Sequence, residues 1–201
     1  MWQVVVLIPK GKKDYRGIDI VEVTWKSVAA ILNCRLTASI IFHEFLQVFQ
    51  TGCSIGNVTL KANLLQQLSA LTEEVLYVTF LEPHKAYDAL NSSRCHGILE
   101  GYNIGPQDCW LLQTYWRRMT MVARAGGYYG AVIKGACGVT QGDPLSPTIL
   151  NVVVDPVARQ WVMVMVEGME EWGMHGKGGR HQNSFLYADD DMVALSDPRW
   201  L

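Results

Sequence analysis

The chain has 201 residues, 49% hydrophobic and 18% charged, with a formal net charge of −2. That length supports a sizeable core and one or two domains. The lack of any run of roughly 20 apolar residues argues against a bilayer span, and the near-neutral charge against attraction to nucleic acid by bulk charge alone. Five scattered cysteines (Cys34, Cys53, Cys95, Cys109, Cys137) without C-x-x-C spacing argue against a disulfide framework and a structural zinc site. They predict an intracellular protein, nucleus and cytoplasm not being distinguished, and the amino terminus carries no export signal.

Val4 to Ile8 and Ile18 to Val23 are β-branched runs that predict a hairpin, with Lys10, Lys12, Lys13 and Arg16 in and around its turn. Trp25 to Phe49 reads as mostly helical, with Val28, Ile31, Leu32 and Leu36 at helical spacing. Thr59 to Leu71 predicts an amphipathic helix. The continuous apolar run Val75 to Leu81 predicts a buried central strand. Helices follow over His84 to Ala89, from the caps Ser92 and Ser93 to Gly101, and from Pro106 through Met119. A second hairpin turns at Gly126 and Gly127. A Gly- and Pro-containing loop, Gly138 to Pro147, leads into a long apolar helix, Thr148 to Trp172, kinked or interrupted at Pro156. The expected class is α+β, an antiparallel sheet backed by helices.

The last segment holds the most telling residues. Phe185-Leu186-Tyr187 and Met192-Val193-Ala194-Leu195 read as two short strands with Asp189 and Asp190 at the tip between them. A solvated acidic turn is the plainer reading, since Asp favours turns. Adjacent carboxylates also suit hard divalent cations, whose ligands are oxygens. His175 and His181 flank a Gly-rich loop and read as solvated side chains.

Three strings change the balance when taken in order: Phe80-Leu81-Glu82-Pro83 through Leu90, Gln141-Gly142-Asp143-Pro144-Leu145-Ser146-Pro147, and Tyr187-Ala188-Asp189-Asp190. Together they resemble motifs A, B and C of a reverse transcriptase, the RNA-directed DNA polymerase of non-long-terminal-repeat retrotransposons and their group II intron relatives. The opening Val5-Val6-Leu7-Ile8-Pro9-Lys10 and Asp14-Tyr15-Arg16-Gly17-Ile18 extend the resemblance over nearly the whole chain. It implies a right-hand polymerase palm with partial fingers, over residues 73–201 and 1–72 respectively, truncated after motif C so that the thumb and the remainder of a longer polyprotein are missing.

The resemblance also implies roles. Glu82, Asp189 and Asp190 match the catalytic, metal-holding acids, Asp190 being auxiliary. The cofactor would be two Mg2+ ions about 3.5–4 Å apart, with Mn2+ as a substitute. Lys10 and Arg16 match the residues that grip the incoming triphosphate, Tyr87 the steric gate beneath the sugar, and Gln141 with Gly142 the group lining the nucleotide and template side. The implied partners are an RNA template, a DNA primer and deoxynucleoside triphosphates, with no membrane.

Four features depart from the pattern. Glu82 stands where the family has aspartate, and one extra methylene moves a carboxylate by roughly 1.5 Å; a misplacement of about 1 Å can cost on the order of 100-fold in rate. Pro83 follows it, Pro156 lies inside the long helix, and Asp191 adds a third acid beside the pair. Two readings follow: a polymerase domain that extends a primer by two-metal phosphoryl transfer, and a catalytically inactive remnant that keeps the fold or weak nucleic-acid binding.

Overall fold

The β-branched opening of the chain does pair with itself. Strands β1 (Trp2–Pro9) and β2 (Tyr15–Val21) form an antiparallel hairpin with Val6 opposite Ile18. This computed structural model describes residues 2–10, 15–44, 46, 49–50, 52–73, 75–83, 85–134, 138–171, 184–187 and 190–195. The helices are α1 (Val23–Ser39), α2 (Ile55–Thr72), α3 (Ala86–Ala89), α4 (Ser92–Gly101), α5 (Pro106–Arg118) and α6 (Ser146–Glu171). The remaining strands are β3 (Tyr77–Leu81), β4 (Thr120–Ala125), β5 (Tyr128–Lys134), β6 (Ser184–Tyr187) and β7 (Asp190–Leu195). The chain divides into two compact units, residues 1–41 with 85–152 and residues 42–84 with 153–201.

The first unit carries a four-stranded sheet in the order β2-β1-β4-β5. Its β4–β5 hairpin turns at Gly126 and Gly127, whose φ values of 56° and 86° are the left-handed conformations a tight hairpin turn needs. The sheet is not wholly antiparallel, as the sequence suggests, because β4 returns beside β1 in parallel. Parallel neighbours need a long crossover rather than a tight turn, and the intervening chain supplies it. Trp25, Ala29, Leu32 and Leu36 of α1 and Cys109, Leu112, Tyr115 and Trp116 of α5 are buried at helical spacing. Ile31, expected on the buried stripe, is 60% exposed.

Two boundaries differ from the sequence reading for local reasons. Helix α1 ends at Ser39 rather than near Phe49. In its last turns the Thr37 and Ser39 hydroxyls donate to Asn33 O and Arg35 O at 2.8 and 2.9 Å, and Ile40 is already extended. Such back-bonding weakens helix continuation. Helix α4 is capped by Asn91, not by the two serines: its Oδ1 accepts from Ser93 N and Arg94 N at 3.0 and 3.3 Å.

The second unit carries a three-stranded antiparallel sheet in the order β3-β7-β6. Strand β7 is central and β3 lies at the edge, with Phe80 75% exposed; a continuous apolar run does not by itself distinguish the two positions. Helix α2 begins four residues before the predicted start, capped by Ser54, whose side chain accepts from Asn57 N. It buries none of its residues. Between α2 and the sheet runs an open cleft of about 440 Å³ lined by Leu65, Val78, Phe80 and Met192. Helix α6 continues unbroken through Pro156, although proline removes one backbone donor. Beside it, Asp155 Oδ2 accepts from Arg159 Nε at 2.6 Å, and Oδ1 accepts from His43 N. No helix among the described residues is long and apolar enough to cross a membrane.

Candidate functional site

In the second unit, strand register gathers the acids. Leu81, the last residue of β3, pairs with Asp191 of β7, and Tyr187, the last residue of β6, pairs with Asp190. Continuing the β3–β7 register by one residue sets Glu82 level with Asp190. The backbone thus brings Glu82 and Asp190 to one end of one sheet, although they are distant in sequence. Asp189 itself lies outside the described residues. Among the described residues no three His, Cys, Asp or Glu side chains converge as a metal site. The donor chemistry nonetheless fits a hard divalent ion, because all three candidates are carboxylates. Glu82 is exposed at the strand end.

In the first unit, the segment 138–143 is held on three sides. Towards α3, Gly138 N donates to Leu90 O at 2.6 Å and Val139 N to Tyr87 O at 2.8 Å. Gly138 has φ +89°, and a Cβ there would lie 3.0 Å from Asp88 O and 3.1 Å from Tyr87 O, so only glycine lets the two backbones approach this closely. Towards β2, Asp19 N donates to Gln141 O and Gln141 N donates to Asp19 Oδ2, both at 2.8 Å. Tyr87, Gln141 and Gly142 are thereby brought together, with Tyr87 and Gln141 half-buried and Gly142 exposed.

The third side is a buried polar network that no sequence pattern announces. Gln3 is fully buried and donates through Nε2 to Tyr115 Oη at 2.5 Å. Tyr115 Oη lies 2.9 Å from Thr140 Oγ1 and donates to Asp143 Oδ2 at 3.3 Å. Trp25 Nε1 donates to the same Asp143 oxygen at 2.6 Å, while Leu145 N donates to Asp143 Oδ1 at 3.0 Å. The Trp25 and Tyr115 rings stack with centroids 3.8 Å apart. Burial pushes the Tyr115 hydroxyl up, so it stays protonated and serves as a donor. Thr140 and Asp143, flanking Gln141 and Gly142, are thus locked into the core. The only sequence signal for this network is the polar residue types themselves, at positions whose burial the pattern does not reveal.

The outward face of the four-stranded sheet has its own character. Register and alternation align Arg16, Ile18 and Ile20 of β2 with Val4, Val6 and Ile8 of β1, Val122 and Arg124 of β4, and Tyr129, Val132 and Lys134 of β5. Arg16, Arg124 and Lys134 are exposed, and the Arg124 guanidinium lies 5.5 Å over the Tyr129 ring. No carboxylate interrupts this set of described residues. Lys10 is exposed just past the end of β1, near Arg16, which pairs with Ile8. Lys12 and Lys13 lie outside the described residues.

Residues 8–199 match the reverse transcriptase (RNA-dependent DNA polymerase) family. A retrovirus-related Pol polyprotein of the type-2 retrotransposable element R2DM from Drosophila melanogaster is 28% identical over 152 residues, covering 75% of this chain and 14% of the relative. One from the type-1 retrotransposable element R2 of Nasonia vitripennis is 26% identical over 96% of this chain and 18% of its own length. The chain therefore spans less than a fifth of either relative. Apo telomerase from Candida Tropicalis superposes with a TM-score of 0.65 at 14% identity over 98% of this chain and 40% of that one. The same telomerase in complex with the TWJ fragment of telomeric RNA gives 0.61 over 98% of this chain and 36% of that one, also at 14% identity. Fold, motif order and matched span agree: the chain belongs to the reverse transcriptase family, as a reverse transcriptase domain of the non-long-terminal-repeat retrotransposon kind.

Proposed function

We propose that this domain carries out RNA-directed DNA synthesis, adding deoxynucleotides to a primer 3′-hydroxyl on an RNA template. The observation that carries the reading is the register that sets Leu81 of β3 against Asp191 and Tyr187 of β6 against Asp190, which brings Glu82 level with Asp190, the sequence neighbour of Asp189. In this reading the three carboxylates hold two divalent ions. When bound, the ions lower the barrier to phosphoryl transfer by offsetting charge on the attacking and leaving oxygens.

The protein's own part is positioning. Lys10 and Arg16 bind the triphosphate as cations at the end of the β1–β2 hairpin. Tyr87 fills the space beneath the sugar and selects against a 2′-hydroxyl, and Gln141 with Gly142 lines the nucleotide. The outward sheet face offers the template its phosphate contacts through Arg124 and Lys134. Tyr129 there supplies a ring for stacking, which single-stranded RNA uses more than groove readout. The β1–β2 hairpin belongs to the fingers and the β3-β7-β6 sheet to the palm.

Glu82 favours a second reading, a fold that has lost turnover, because its longer side chain misplaces one ligand oxygen. Primer extension on an RNA template with Mg2+ separates the two. The native chain, its Glu82→Asp variant and an Asp189→Ala blank are compared. Extension by the native chain above the blank supports the enzyme, whereas extension by Glu82→Asp alone supports the inactive remnant. No extension by either rejects the polymerase reading for this chain.

A further inference from the structure

We propose that Asp19 is a positioning residue whose ionised carboxylate latches the Gln141–Gly142 turn onto β2, and so sets how firmly that turn can meet a nucleotide. The inference rests on the polymerase reading for its consequence but not for its geometry. Asp19 meets the turn at three points. Its amide donates to Gln141 O, its Oδ2 accepts from Gln141 N, and its carbonyl oxygen lies where a Gly142 Cβ would approach to 2.8 Å. With φ +119°, Gly142 is also in a conformation that side-chain-bearing residues rarely adopt.

The side chain stands in an unfavourable place for a carboxylate. Its Oδ1 is buried without a hydrogen-bond partner. The charged groups acting on it, Asp88 of α3 and Asp143 after the turn, are both acidic. Burial first, then these two acids, push the Asp19 carboxyl up to about 6, against the opposing hydrogen bond from Gln141 N. A hydrogen bond to an ionised acceptor is roughly twice as strong as one to a neutral acceptor. The latch is therefore tight above that pH and loosens below it. An acid kept where ionisation is disfavoured, aimed at a single loop amide, is the pattern of a group retained for a task rather than for stability.

The test follows the Gln141 amide resonance of the full 201-residue chain from pH 4.5 to 8, in the native protein and in Asp19→Asn. Asparagine keeps a neutral oxygen acceptor but cannot titrate. The expected result is a Gln141 amide shift with a midpoint near 6 in the native chain and a flat profile in Asp19→Asn. Gly142→Ala, which pushes the turn off β2 without touching the carboxylate, should abolish the titration at Gln141. A native Gln141 amide that does not titrate, or one with the same midpoint in Asp19→Asn, overturns the latch. If the chain extends primers, KM for the deoxynucleotide should rise about tenfold between pH 7 and pH 5 in the native chain and not in Asp19→Asn, with kcat parallel in both. If it does not, the polymerase reading fails on its own and the resonance still decides the latch.

Discussion

The Trp25 indole donates to Asp143 at 2.6 Å while its ring stacks on Tyr115, so one α1 side chain grips both the motif B acid and the α5 tyrosine beside it. Asp143 is 4% exposed and also receives Leu145 N. The Gln-Gly-Asp-Pro string is therefore, at its aspartate, a structural anchor that leaves Gln141 and Gly142 to face outward from a fixed base.

Asp143→Ala should be among the most damaging single changes in the chain. It strands the Trp25 and Leu145 donors in a buried site, and each unsatisfied donor costs about 1–3 kcal/mol. We expect a loss of about 3 kcal/mol in chemical denaturation, with Trp25→Phe costing less because the stacked ring remains. The two losses should be clearly non-additive, since the residues share one hydrogen bond.

Gly138→Ala tests the contact with α3. The added Cβ would meet backbone atoms of Tyr87 and Asp88 at 3.0–3.1 Å, and backbone cannot swing aside as a flexible side-chain end can. The left-handed φ adds strain, so a loss of about 1–3 kcal/mol is expected. Because Val139 N bonds Tyr87 O, the same change should relax discrimination between deoxy- and ribonucleotides, measurable as the ratio of their kcat/KM values. Unchanged discrimination alongside reduced stability would separate the packing role from the gating role.

Asp19 makes stability depend on pH with a definite sign. Its carboxyl is raised from 3.8 to about 6 in the folded chain, so folding favours the protonated form. The stabilising contribution is complete below pH 3.8 and is lost as pH rises through about 6. Asp19→Asn should therefore gain stability over the native chain as pH increases from 4 to 7. With part of the group facing solvent, screening reduces the expected gain to about 1–2 kcal/mol. Urea titrations of both chains at the two pH values check this; equal differences at both would reject it.

The cationic sheet face predicts a salt signature. If Arg124 and Lys134 each contact a phosphate of single-stranded RNA, replacing either with alanine should lower the magnitude of the log K against log salt slope by about 0.7. Tyr129→Ala should instead weaken binding while leaving the slope unchanged, since stacking releases no counterions. Fluorescence anisotropy with a short RNA at several salt concentrations distinguishes the two effects.

The local chemistry of the sequence determined much of this protein by itself. β-Branched runs specified the β1–β2 hairpin, Gly126 and Gly127 specified the turn between β4 and β5, and Pro106 opened α5. The order of Glu82, Gln141 to Pro147 and Tyr187 to Asp190 was enough to recognise the family. These features are legible because each depends on residues within a few positions of one another. Burial was not legible in the same way. The pattern does not show that Gln3 and Asp143 are core residues, that Ile31 is exposed, or that β3 is an edge strand, because each depends on partners far along the chain. The parallel return of β4 to β1 and the bond between Asp19 and the Gln141 turn arise only when distant segments meet. Contacts between residues a hundred or more positions apart are set by the packing of whole elements, and periodicity along the chain carries no record of them.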